Sequence, residues 1–320
     1  MKKSFLLLLL LPICFFGQLK PIAPPYLKPG DTVGIVTTAR KIDIAGIQAG
    51  IDLLKSWGLT VVVGKTIGKD ENQLAGPDWF RATDLQQMLD DPKIKLIWSA
   101  KGGYGTVRII DRIDWTKFKK HPKWIAGFSD CTVLHSHIQT LGFQTIHSFM
   151  ALSAKSASAE AIQSFRTALF GGIRDYTIAP NSLNRTGFAE GIITGGNLSV
   201  LYSLMGSASE IDTKGKILFI EDLDEYLYHI DRMMMNLKRN GYFKNIKGLI
   251  VGGMTSMNDN DIPWGHTAEE IIKDIVKDYD FPVIFNFPAG HIKDNRTLVL
   301  GEMIRMEAEN EKAEVQTLKK

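Results

Sequence analysis

"KWIAGFSDCTVLHSHIQTLG", residues 123–142, is the stretch on which the reading of this chain turns. Trp124, Ile125 and Ala126 make an apolar run of strand length, and the residues from Thr132 to Leu141 have helical spacing that stops at Gly142. Gly127, Phe128, Ser129 and Asp130 lie between. A serine at so sharp a strand-to-helix turn has two readings. It caps the helix, its hydroxyl accepting from a first-turn N–H, or it is a nucleophile raised at the carboxyl edge of a sheet. "GFSDC" lacks the closing glycine of G-x-S-x-G, so the local sequence leaves both open.

The surroundings repeat the same alternation. "DTVGIVTTA" is a strand and "AGIQAGIDLLKSWG" a helix ending at Gly58; "LTVVVGK" reads as a buried strand, "FRATDLQQMLDDP" as a helix stopped before Pro92, and "IKLIWSA" as a further strand. "KGGYGTVRIIDRID" reads as a glycine loop opening a helix. Strands alternating with helices predict a parallel sheet covered on both faces, with ligands at the carboxyl ends of its strands. Both "KGGYG" and "GFSD" fall at such ends. Residues 18–155 are expected to form this first domain and 156–190 a connecting region. Residues 191–320 form a second αβ unit: "GGNLSVLYSLMG" a glycine turn into a helix, "GKILFIEDLDEYLYHIDRMMMNLKRNG" a strand and long helix, "FPVIFNFPAGH" a strand leading to a loop, and "RTLVLGEMIRMEAENEKAEVQTL" a closing hairpin.

Composition narrows the function. The chain has 320 residues, 44% hydrophobic and 23% charged, enough for one large domain or two ordinary ones. The basic "MKK" followed by "SFLLLLLLPICFF" reads as a secretion signal over residues 1–17, cleaved near Gly17, which would place the mature chain in the periplasm; "LPIC" offers a lipid anchor at Cys14 as a second reading. Without those residues 36 basic face 35 acidic side chains. That balance gives no electrostatic reason to expect nucleic acid as a partner. Cys131 would then be the only cysteine, so no internal disulfide is expected.

A serine hydrolase also needs a base, an orienting acid and an oxyanion site. Of seven histidines, His291 in the loop "FPAGHIKDN" and His147 at a strand end are the best placed; a structural role for either remains open. Glu221 ends the apolar run "KILFI", while Asp222, Asp224 and Glu225 suit the N-terminus of the following helix, a capping cluster to which Glu221 could also belong. A metal held by the acidic run and His229 is disfavoured, because no H-x-x-x-H or C-x-x-C spacing accompanies it. The N–H groups of "KGGYG" could cradle an oxyanion.

Taken in order, "KGGYGTVRIIDRIDW", "AGFSDCTVLH", "EGIITGGNLSVLYSLMG", "LFIEDLDEYLYHIDRMMMNL" and "GHIKDN" with "LVLG" resemble the LD-carboxypeptidase family of serine peptidases over essentially the whole chain after residue 17. The resemblance implies a flavodoxin-like N-terminal domain, a smaller α/β C-terminal domain and an active site between them. Ser129 would be the nucleophile, Glu221 the orienting acid and His291 the base, with the N–H groups of Gly103 and Asp130 as oxyanion hole. Lys101, Tyr104 and Asn197 would contact substrate, Lys101 being the candidate for the departing carboxylate. The implied reaction releases a terminal D-residue, D-alanine of a murein tetrapeptide, from an L-centre, without metal or organic cofactor and in a homodimer. Two features depart from the family: Lys101 stands where arginine is common, and the first strand ends "VTTAR" instead of in a proline- and serine-containing loop. Hydrolysis of peptidyl-nucleotides or other short peptides, and ligand binding without turnover as in a periplasmic solute-binding protein, are the alternative readings.

Overall fold

In the computed structural model, which describes residues 20–309 and 311–318, two sheets meet along one seam. The segment read as a secretion signal, with Cys14, lies outside the described residues. The first half runs β1 (Thr32–Val36), α1 (Ile44–Ser56), β2 (Thr60–Val63), α2 (Asp78–Asp90), β3 (Ile94–Ser99), α3 (Thr116–Lys120), β4 (Trp124–Gly127), α4 (Thr132–Thr140), β5 (Thr145–His147) and α5 (Ala159–Leu169). The second half is β6 (Asp175–Ile178), β7 (Gly187–Asn197), α6 (Leu198–Leu204), β8 (Ile217–Leu223), α7 (Leu227–Arg239), β9 (Gly248–Thr255), α8 (Ala268–Ile275), β10 (Val283–Ile284), β11 (Leu298–Leu300), β12 (Met303–Ala308) and β13 (Ala313–Thr317). Among the described residues no helix is long and apolar enough to cross a membrane.

The first sheet has the order β2-β1-β3-β4-β5-β11, parallel except for the last strand. The order 2-1-3-4-5 is that of flavodoxin-like folds. Its strands are buried because helices cover both faces: α1 and α5 pack over Val33, Ile35, Leu96 and Trp98, and α2, α3 and α4 over Val36, Ile97 and Ile125. Local signals start and stop the helices. Asp43 accepts from Gly46 N–H at 2.8 Å to cap α1, and Gly58 follows its end at φ +78°. Lys123 is buried against the far end of α2, where it donates to the carbonyls of Met88 and Asp91, and burial pushes its ammonium down to about 8.

The second sheet has the order β10-β9-β8-β7-β12-β13-β6, its first four strands parallel and the rest antiparallel. Helices α6, α7 and α8 cover one face around Leu218, Ile220, Met233 and Ile272. The other face buries Phe219, Ile250 and Phe287 together with Leu298 and Leu300 of β11.

Several elements differ from their sequence reading. β2 lies at the sheet edge, and Val62 and Val63 are 40% and 37% exposed, so the run "LTVVV" is not buried. "TVRIIDR" forms two short 3-10 turns, Thr106–Arg108 and Ile110–Arg112, instead of an α-helix, since Thr106 is pinned to Asp130 while Ile109, Ile110 and Ile113 all turn inward. Gly195 and Gly196 belong to β7, where backbone from Phe219 and the side chain of Thr132 crowd in where a Cβ would sit. The stretch 156–190 is shared out: α5 completes the first core, and β6 edges the second sheet. "RTLVLG" does not start the closing hairpin. β11 crosses back to pair antiparallel with β5, Leu298 opposite His147, and only β12 and β13 form the hairpin.

Candidate active site

The carboxyl ends of β4 and β8 face each other across the seam. After β4 the chain must turn at once to enter α4. Gly127 adopts φ +152°, and a Cβ there would meet Ser99 Cβ at 2.9 Å and Cys131 Sγ at 3.0 Å. Ser129 itself sits at φ +60°, a left-handed conformation that a non-glycine residue adopts at a cost of about 1–3 kcal/mol. Ser129 does not cap α4; no side chain caps that helix.

On the opposing side, Glu221 lies on β8 where the register with β9 slips, so that Gly252 and Gly253 oppose it. These glycines and Gly290 make room. A Cβ on Gly290, at φ +106°, would fall 2.7 Å from Glu221 Cβ and Oε2, and one on Gly252 would strike the Ala289 carbonyl at 2.5 Å. The 288–296 loop can therefore close onto the sheet, its return held by Gly290 N–H to Asn295 Oδ1 (2.9 Å) and Arg296 N–H to the Pro288 carbonyl (2.7 Å).

The result is a continuous chain of hydrogen bonds. His291 Nδ1 lies 2.7 Å from Glu221 Oε2, and His291 Nε2 lies 3.1 Å from Ser129 Oγ. Glu221 is fully buried, and the Phe128 ring packs 4.7 Å from the imidazole. Burial pushes the His291 imidazolium down, but the charge and hydrogen bond of Glu221, with the charge of Asp222, outweigh it and raise the group above its ordinary value. With Nδ1–H donated to the carboxylate, Nε2 is left as the acceptor facing the serine.

The glycine loop closes the third side. Gly102 passes Ser129 so closely that its Cβ would be 3.5 Å from Oγ. Asp130, buried behind the turn, accepts from both N–H and Oγ1 of Thr106, at 3.0 and 2.5 Å, and so ties the loop to the Ser129 turn. Arg81, also buried, donates to the carbonyls of Gly105, Thr38 and Gly76 from below. The Gly103 N–H bonds to no described residue. The Asp130 N–H opens the Ser129–Cys131 turn, where first-turn amides have no partner within the turn. Both can serve an oxyanion near Ser129.

The other residues singled out by sequence fall as follows. Tyr104 is exposed on the lip of the glycine loop. The Lys101 ammonium donates to the Lys41 carbonyl at 3.2 Å. Asn197, expected to touch substrate, is buried and engaged elsewhere: Oδ1 caps α6 by accepting from Val200 N–H, Nδ2 donates to Asp222, and its N–H donates to Thr132 across the seam. Asp222 does not serve α7. It accepts from Ser199 N–H at 2.8 Å at the start of α6, and burial, with the adjacent charge of Glu221, raises its carboxyl to about 7. His147 is sealed between Phe128, His135 and Phe219 with both ring nitrogens unpartnered, and burial holds it neutral. Cys131 is a buried thiol whose ionisation burial suppresses. His229 pairs with Glu225 at 2.5 Å. Among the described residues no three His, Cys, Asp or Glu side chains gather into a metal-sized group.

Sequence reasoning passed over Thr106, which bonds to Asp130, Thr132, which accepts from Asn197 N–H across the seam, and Arg40, which lies against Gly103. Arg40 lies in the unusual "VTTAR" ending of the first strand, which was the available signal.

A strained serine, a histidine and a buried carboxylate, hydrogen-bonded across two α/β lobes, form an arrangement that hydrolases of the acyl-transfer kind use. The chain belongs to the LD-carboxypeptidase family: residues 33–148 match the family's N-terminal domain and residues 190–306 its C-terminal domain. It is 34% identical over 293 residues to a probable murein peptide carboxypeptidase of Bacillus subtilis, covering 88% of this chain and 91% of that one. The crystal structure of muramoyltetrapeptide carboxypeptidase from Oxalobacter formigenes superposes with a TM-score of 0.82 at 25% identity, over 90% of this chain and 99% of that one. Microcin C7 self-immunity protein MccF, solved in complex with aspartyl sulfamoyl adenosine, shares the fold at 22% identity, with a TM-score of 0.82 and coverage of 94% and 99%.

Proposed function

We propose that the protein is a serine-type LD-carboxypeptidase that releases the terminal D-alanine of a murein tetrapeptide. The observation that carries this reading is the Ser129–His291–Glu221 relay, with bonds of 3.1 and 2.7 Å, set beside the glycine loop in a chain of this family.

Ser129 Oγ attacks the carbonyl carbon of the L-centre while its proton passes to His291 Nε2. Glu221 holds the imidazole in the tautomer that can accept, and balances its charge once it has. The carbonyl oxygen, now anionic, is met by the N–H groups of Gly103 and Asp130. Collapse breaks the C–N bond as His291 returns the proton to the leaving nitrogen, and D-alanine departs. Water, deprotonated by the same histidine, then resolves the ester and frees the tripeptide.

Ser129→Ala is expected to lower release of D-alanine from purified murein tetrapeptide by about 10⁴-fold or more, with the fold unchanged by circular dichroism. Retention of near-wild-type turnover would remove Ser129 from the reaction. Tripeptide and pentapeptide in the same mass-spectrometric assay should stay intact, because a pentapeptide presents a D-centre carbonyl to the serine. A peptidyl-nucleotide in a fourth vessel separates the alternative substrate class. If nothing is turned over and a ligand is simply held, the solute-binding reading stands. The periplasmic location and the homodimer belong to this proposal as well; fractionation and light scattering test them.

A further inference from the structure

Arg40 lies against the glycine loop. Its backbone N–H donates to the Gly102 carbonyl at 3.4 Å, and its own carbonyl accepts from Thr37 Oγ1 at 2.9 Å. The side chain then lies flat over Gly103: a Cβ there would meet Arg40 Cγ at 2.6 Å and Nε at 2.7 Å. Gly103 itself sits at φ +108°.

Several of the neighbouring cations are already engaged. Arg81 is buried under the loop and bonded to Asp78 and three carbonyls, Arg108 pairs with Asp78 at 2.9 Å, Lys41 with Asp70 at 2.6 Å, and Lys101 donates to the Lys41 carbonyl. The Arg40 guanidinium is exposed and makes no hydrogen bond or ion pair with a described residue.

The spacing is informative. Gly102 is the residue against Ser129 Oγ, and Gly103, the next one, is the residue against Arg40. Consecutive Cα atoms are about 3.8 Å apart. In a carboxypeptidase substrate the free carboxylate also lies one residue beyond the scissile carbonyl. We propose that Arg40 is the substrate-binding residue for the free carboxylate of the departing D-residue. Its planar fork matches a carboxylate with two parallel hydrogen bonds, which a lysine ammonium cannot reproduce. This assignment rests on the carboxypeptidase reading above.

The test compares tetrapeptide ending in D-alanine with the same peptide ending in D-alaninamide, on wild type, Arg40→Gln, Arg40→Lys and Lys101→Met. Wild type is expected to favour the acid. Arg40→Gln should raise KM for the acid roughly 10- to 100-fold, as loss of a charged hydrogen-bonded pair does, and leave kcat/KM for the amide within about twofold. Arg40→Lys should recover part of the loss, and Lys101→Met should keep the acid preference. A fall of equal size on acid and amide would show Arg40 acting on the oxyanion or the loop, and overturns the proposal. So does an acid preference that survives Arg40→Gln or disappears with Lys101→Met. A wild-type protein inactive on both peptides overturns the carboxypeptidase reading itself, and this assignment with it.

Discussion

At the scale of single residues, the neighbouring acids Glu221 and Asp222 show how a strand divides labour. Adjacent strand residues face opposite sides. Glu221 turns to the His291 loop, and Asp222 to the start of α6. The sequence makes an acid at this point conspicuous, and the ordered family blocks pick out Glu221; it gives no sign that α6 begins beside Asp222, because that contact joins segments more than twenty residues apart. The pair also sets a pH profile. In the proposed reaction His291 must be neutral to accept a proton, and its pKa is raised, so kcat/KM should fall on the acid side through an apparent value above the ordinary histidine 6.5. Glu221→Gln removes the charge that raises it. The acid limb should then move to lower pH while the plateau drops by a large factor. A limb that stays in place in a pH–rate titration would mean that another group controls it, Asp222 near 7 being the first to examine.

At the scale of elements, the alternation of strands and helices was readable because each buried strand is an apolar run and most helices carry stops such as Gly58 and Pro92. What escaped were segments whose conformation is dictated from a distance: the 3-10 turns after Gly105, governed by Asp130, and β11, whose three residues "LVL" cannot say which sheet they join. Likewise the closeness of the 288–296 loop to β8 depends on glycines whose sequence context looks ordinary. Gly290→Ala puts a methyl group into Glu221 at a φ that alanine resists. Displacing His291 by about 1 Å can cost roughly 100-fold, so the variant should lose at least that in kcat while every triad residue remains. Stability should fall by about 1–3 kcal/mol in a denaturant titration. Full activity in this variant would show that the loop can relax without moving the imidazole.

At the scale of the whole molecule, β11 sews the second half of the chain into the first sheet, and Asn197 N–H to Thr132 makes a second stitch. The two sheets should therefore melt together. Five of the six tryptophans, Trp57, Trp79, Trp98, Trp115 and Trp124, precede Ser129, so their emission reports the first sheet, whereas far-ultraviolet circular dichroism reports both. One shared midpoint is expected from the two probes. Separate midpoints would show that the stitches are weaker than the cores they join.

The division of the relay between the halves also has a consequence in time. Ser129 and His291 are 162 residues apart. A ribosome adding about 5–20 residues per second delivers the histidine roughly 8–30 s after the serine. Until then the growing chain carries Ser129 without the imidazole that bonds to it, and β5 without its last neighbour. On the proposed mechanism a half-made copy would lack its proton acceptor, and turnover would begin only once the C-terminal part has docked.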